Sequence, residues 1–136
     1  MNAMIQTSYF ANKDLSRLGS EVRLVAISQG IPKWFRGDIF RPLAPSWQLV
    51  RINDVALYKR LYKEQVLDRL DPVRIARQLD NSILLCWERP GQFCHRRLVA
   101  EWLEKATGIV VPEYVRVSPT VKINQEPEQL NMFEMN

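Results

Sequence analysis

Residues 83 to 107 read Ile83-Leu84-Leu85-Cys86-Trp87-Glu88-Arg89-Pro90-Gly91-Gln92-Phe93-Cys94-His95-Arg96-Arg97-Leu98-Val99-Ala100-Glu101-Trp102-Leu103-Glu104-Lys105-Ala106-Thr107. The opening run, Ile83-Leu84-Leu85-Cys86, is apolar and bounded by Asn81-Ser82 and Pro90-Gly91. Short apolar runs between turn signals are strands buried on both faces, as in parallel sheets. Beyond the turn, Leu98, Val99, Trp102, Leu103 and Ala106 recur at i, i+3 and i+4 spacing, the buried face of a helix. Lys105 falls in its last turn and Gly108 at its C-cap. The stretch therefore predicts a strand, a loop of seven to nine residues, and a helix whose first turn carries Cys94, His95, Arg96 and Arg97. Ligands of open α/β sheets bind at the carboxyl ends of strands, where helix N-termini attract anions.

Working outward, residues 4–10 predict a first strand and residues 21–28 a second, ending at Ser28-Gln29-Gly30-Ile31-Pro32. Residues 33–47 hold Trp34, Phe35, Phe40 and Trp47 among prolines and read as an ordered, irregular loop. A helix is expected from Asn53 or Asp54 to about Leu70, with Val55, Tyr58, Leu61, Tyr62 and Val66 on one face. Asp71-Pro72 is an N-cap followed by proline at the first helical position. Ile109-Val110-Val111 predicts a further strand and residues 114–117 an edge strand. Strands alternating with helices give an α/β fold, a small three-layer Rossmann-like domain. Its mostly parallel sheet should have about four strands and helices on both faces. Residues 1–117 form this single domain and residues 118–136 a polar tail. In such a sheet Ser8, Ser28 and Glu88 all fall at carboxyl ends of strands.

A chain of 136 residues has room for one core without disulfides or metals. Its 46% hydrophobic and 25% charged content is that of an ordinary globular protein. Nineteen Lys and Arg against fifteen Asp and Glu leave +4, a mild basic excess that suits nucleotide or nucleic-acid partners. No apolar run reaches the ~20 residues of a membrane span, so no membrane partner is expected. The first residues lack the basic and apolar regions of a signal peptide, and a cytoplasmic location with free thiols is expected.

Cys94, at a helix start beside His95 and Arg96, is a candidate nucleophile with a lowered thiol pKa. Packing as a small buried residue is the alternative. Glu88 is a candidate acid–base or sugar-binding carboxylate, against a plain ion pair with an arginine. His95 and Arg96, with Ser8 and Ser28, are the candidate anion-binding set. Cys86, Glu88, Cys94 and His95 are metal-ligand types. Adjacent Cys and His make an awkward pair for one tetrahedron, however, and no Cys-x-x-Cys or second histidine occurs. No metal and no cofactor are expected.

The pattern Leu84-Leu85-Cys86-x-Glu88, five residues, then Cys94-His95-Arg96-x-Leu98-Val99-Ala100 resembles the signature of the family known as domain of unknown function 488, in a branch found in bacteria and phages. Thr7-Ser8-Tyr9-Phe10-Ala11-Asn12, Ala26-Ile27-Ser28-x-Gly30-Ile31-Pro32-Lys33-Trp34-Phe35 and Leu43-Ala44-Pro45-Ser46-Trp47 extend the resemblance. It implies a compact α/β domain with a site around Glu88, Cys94, His95 and Arg96, and names no reaction. The commoner branch carries Asp-Val-Arg where this chain reads Ala26-Ile27-Ser28.

Near the C-terminus, Gln129-Leu130-Asn131-Met132-Phe133 resembles the bacterial sliding-clamp binding peptide. Gln129, Leu130, Met132 and Phe133 would be its anchors, presented by a tail at modest ordering cost. The alternative is a latch in which the apolar three fold back onto the domain. Three functions follow: an enzyme acting on nucleotides or DNA, tethered to the clamp; a non-catalytic nucleic-acid adapter; and a thiol-dependent redox or transfer protein using Cys94.

Overall fold

The computed structural model describes residues 3–88 and 93–115. Its strands are β1 (Ile5–Tyr9), β2 (Arg23–Ala26), β3 (Asp38–Ile39) and β4 (Ser82–Cys86). Its α-helices are α1 (Trp47–Val50), α2 (Val55–Gln65), α3 (Pro72–Gln78) and α4 (His95–Thr107). Single 3-10 turns cover Lys13–Arg17, Arg41–Leu43 and Leu67–Arg69. The sheet is parallel throughout, in the order β1-β4-β2-β3. It is the expected α/β architecture of a small Rossmann-like domain.

β4 lies inside the sheet, paired with β1 from Ile5↔Ser82 to Tyr9↔Cys86 and with β2 from Arg23↔Ser82 to Ala26↔Leu85. All five of its residues are buried, which is why its sequence is an unbroken apolar run. Its side chains alternate between two cores. Leu84 joins Ile5, Val25 and the inner faces of all four α-helices. Ile83 and Leu85 join Ala26, Phe10 and Leu15 on the other side. The α-helices, expected on both faces, all pack on the face of Leu84. Among the described residues, the second face carries only the 3-10 turn holding Leu15, with Phe10, Ile31 and Phe35 packed around it.

The caps follow the sequence. The Asp54 carboxylate accepts from the Leu57 N–H at 3.1 Å and Asp71 from the Val73 N–H at 3.0 Å, each opening its helix. Gly108 closes α4 at φ 79°, a left-handed conformation that side chains resist. α2 ends at Gln65 instead of running to Leu70, and a 3-10 turn completes the span.

Two expectations need correction. Within the aromatic loop, Asp38–Ile39 forms an edge strand pairing Val25↔Asp38 and Ala26↔Ile39. Two exposed residues offer no alternation from which a strand can be read. Conversely, residues 109–111 and 114–115 form no strand. Among the described residues, the chain after α4 makes one bridge, Thr7↔Glu113, through the Thr7 N–H to the Pro112 carbonyl (3.0 Å) and the Tyr114 N–H to the Thr7 carbonyl (2.7 Å). Pro112 has no N–H with which to extend the pairing. Residues 116 and 117, and the whole tail with Gln129, Leu130, Met132 and Phe133, lie outside the described residues. Among the described residues, no helix is long and apolar enough to cross a membrane.

Candidate functional site

The carboxyl ends of β2 and β4 open into a crevice of about 530 Å³, where an open α/β sheet is expected to bind its ligand. Ser28 and Gln29 follow β2; Cys86, Trp87 and Glu88 end β4 or follow it; Cys94 and His95 start α4. Trp47 and Tyr58 complete the walls from α1 and α2. Trp47 is 56% exposed, Trp87 51% and Phe93 37%. Trp87 is held by its indole N–H, which donates to the Gly30 carbonyl at 2.9 Å, and by an edge contact with Phe10. Phe93 stands edge-on to Tyr58, ring centres 5.1 Å apart. A larger cavity of about 710 Å³ on the thin face of the sheet is lined by Phe10, Trp34 and Phe35, and among the described residues no acid, cysteine or histidine borders it.

Cys86, Cys94 and His95 form the crevice floor, all three buried. The two sulfurs are paired as a disulfide, with Cα atoms 7.2 Å apart. In this pairing Cys94 shares its sulfur with Cys86 instead of standing alone at the helix start. The apparent obstacle to bringing Cys94 and His95 together disappears in the backbone. Cys94 is extended (φ −149°, ψ 144°) and His95 is already helical, so the chain turns between them. Cys94 Sγ then lies 3.8 Å from His95 Nδ1.

The other ring nitrogen, Nε2, donates to the Ile27 carbonyl at 2.7 Å, and Tyr62 packs edge-on against the ring. Burial dominates His95 and, with the Arg96 charge, lowers its pKa to about 4 despite the opposing bond to Ile27. That shift favours the neutral imidazole near pH 7.

Arg96 is 1% exposed and committed inside the protein. Its Nε and Nη2 donate to the two oxygens of Glu113, at 3.1 and 2.8 Å. Nη1 donates to the Glu88 carbonyl at 2.6 Å and contacts Cys86 Sγ at 3.0 Å. The carboxylate this fork holds is the protein's own. Arg97 donates to Thr7 Oγ1 (2.8 Å) and the Val111 carbonyl (2.9 Å), and Thr7 Oγ1 donates to Glu113 (2.6 Å).

The remaining expected residues divide. Ser28 lines the crevice, its hydroxyl donating to the Gly30 carbonyl at 2.6 Å. Ser8 is buried within β1, does not line the crevice, and accepts from the Asn12 amide at 3.0 Å. Glu88 is exposed at the mouth. Burial, and after it the Glu88 carboxylate, raise the Tyr58 pKa and keep that phenol protonated. Sequence reasoning missed Glu113, Trp47 and Tyr58. Glu113 carries no motif, and the two aromatics read as loop and helix-face residues.

No family model, curated protein or solved structure matches the chain.

Two measurements check this geometry. Glu113→Ala leaves a buried guanidinium without its carboxylate, and should cost on the order of 3 kcal/mol in urea unfolding. A loss below about 1 kcal/mol would show that the pair does not hold the site together. His95 is neutral when folded, with a pKa near 4 against about 6.5 unfolded. Its contribution is complete above pH 6.5 and is lost as pH falls through 4, because the unfolded chain takes up the proton first. In a chelating buffer, stability should drop by about 3 kcal/mol across that window, and His95→Gln should flatten the profile. A wild-type profile already flat there would place the imidazole in solvent.

Proposed function

We propose that the protein binds a nucleotide, or the end of a nucleic-acid strand, by stacking a base in the crevice at the strand ends. The carrying observation is the set of exposed rings, Trp47, Trp87 and Phe93, at the mouth of a pocket at that position. Large aromatic faces kept in water at a concave site are the usual platform for a planar ligand, and every base has a π-face. Gln29, Asn53 and Glu88, on the same walls, offer amide and carboxylate partners for a base edge or a sugar hydroxyl. The net charge of +4 favours an anionic partner at long range. The base, and not the phosphate, is the part the crevice receives, since His95 is neutral and Arg96 is taken by Glu113. The resemblance of the Cys-x-Glu…Cys-His-Arg pattern to domain of unknown function 488 supports the same location. Glu88 is the titratable group at the mouth and the residue to test for acid–base chemistry.

Base–aromatic stacking contributes about 1–3 kcal/mol, so Trp87→Ala or Trp47→Ala should weaken nucleotide binding roughly 5- to 150-fold. Titration by tryptophan fluorescence, with far-ultraviolet circular dichroism confirming the fold, measures this directly. Nucleotides that leave the fluorescence of the wild-type chain unchanged at millimolar concentration would remove the reading.

The tail supports a replication setting. Leu130, Met132 and Phe133, if all three enter a pocket, contribute about 1.5–3 kcal/mol each before ordering costs, enough for micromolar affinity. A peptide of residues 124–136 should bind a bacterial sliding clamp, and the double change Leu130→Ala, Phe133→Ala should abolish binding. If the peptide shows no affinity and deleting residues 125–136 lowers the melting temperature, the tail is a latch on its own domain.

A further inference from the structure

The crevice floor suggests a second property, independent of what stacks above it. Cys86 Sγ, Cys94 Sγ and a ring nitrogen of His95 all lie within 4.8 Å of one another, and the three residues are buried. We infer that the reduced protein holds one zinc ion at Cys86, Cys94 and His95.

Four observations carry the assignment. The donor set, two thiolates and an imidazole, is the one borderline-soft Zn²⁺ prefers. The spacing fits, because tetrahedral Zn–S and Zn–N bonds place sulfur and nitrogen about 3.6 Å apart, and Cys94 Sγ stands 3.8 Å from His95 Nδ1. The Cα separation of Cys86 and Cys94, 7.2 Å, exceeds the usual disulfide range. It suits two thiolates on a shared ion, whose sulfurs stand about 3.7 Å apart.

The imidazole is also prepared as a ligand. Nε2–H donates to the Ile27 carbonyl, which fixes the tautomer and leaves the Nδ1 lone pair facing the sulfurs. A backbone carbonyl on the far nitrogen is the usual outer-shell partner of a metal-bound histidine. The fourth observation is charge. Two buried thiolates would carry −2, and the nearby Arg96 is already matched by Glu113. A divalent cation brings the floor to neutrality, with the Arg96 N–H on Cys86 Sγ supporting the thiolate.

Three protein ligands leave one coordination position open, and all three line the crevice. That is the arrangement of a catalytic site, in which water or substrate takes the fourth place. The ion and the Cys86–Cys94 disulfide are mutually exclusive states of the same two sulfurs, so a single experiment separates them.

The full chain, reduced with a phosphine under anaerobic conditions, is titrated with Co²⁺ as a spectroscopic stand-in. We expect near-ultraviolet thiolate-to-cobalt bands and intense visible bands of a tetrahedral ion, saturating at one equivalent and abolished by added Zn²⁺. Cys94→Ala and His95→Ala should lose them, while Trp87→Ala keeps the full signal and loses only nucleotide affinity. A folded, reduced wild-type chain giving no such bands overturns the proposal, as does a disulfide that the phosphine cannot open. If the alanine variants fail to fold, the wild-type spectrum alone still decides.

Discussion

The guanidinium of Arg96 is the constraint on which the rest of the site depends. It sits at 1% exposure at the start of α4 and ties that helix to two separate parts of the chain: the end of β4 through Cys86 and Glu88, and the return segment through Glu113. Desolvating such a cation costs several kcal/mol unless its donors are matched. The planar fork of arginine meets the two oxygens of Glu113 while its remaining Nη1 serves the β4 side, a division a lysine ammonium could not make. Thr7 and Arg97 extend the network to β1. The loop between β4 and α4 is therefore fixed at both ends, and with it the positions of Cys86, Cys94 and His95.

That network also explains what the sequence could and could not reveal. The β4–α4 unit was legible because burial on both faces and a 3.6-residue period leave direct marks, as do Asp71-Pro72 and Gly108 at helix ends. The cluster of functional residue types around Cys94 was legible for the same reason. The allocation of Arg96 was not. Its partner Glu113 lies seventeen residues away in a segment without pattern, and tertiary pairing of charges has no periodicity. A helix start with two arginines reads as an anion site until the protein's own carboxylate is found in it. Likewise the junction of Cys94 and His95 depends on a single pair of backbone angles, invisible in composition. Asp38–Ile39 was missed because two exposed residues carry no burial signal.

The sheet's two faces are built for different tasks. All four α-helices pack on the side of Leu84 and form the larger core around Tyr62, Val99 and Leu103. The opposite side is closed by one 3-10 turn and a group of rings, with Phe10 touching Trp34, Phe35 and Trp87. Phe10 thereby connects the thin face to the crevice, since Trp87 contacts it and also borders the pocket. An aromatic loop that looked like irregular covering is thus part of what orients the crevice wall, together with the Gly30 carbonyl that holds the indole.

The N-cap of α4 carries this argument one step further. α1, α2 and α3 each begin with a Ser or Asp whose side chain accepts from the first turn, whereas Cys94 makes no capping bond. Replacing a good cap by a residue that cannot serve costs about 0.5–2 kcal/mol, and the longest helix of the described residues bears that cost. A serine would fit the same extended backbone and satisfy the helix. What a serine lacks is a thiolate that can bond to Cys86 or share a thiophilic ion with it and His95. Local stability has been given up where the side chain faces its neighbours across the crevice floor. The missing cap is thus exchanged for a sulfur that reaches Cys86 across the crevice floor, a local rule set aside for a tertiary contact.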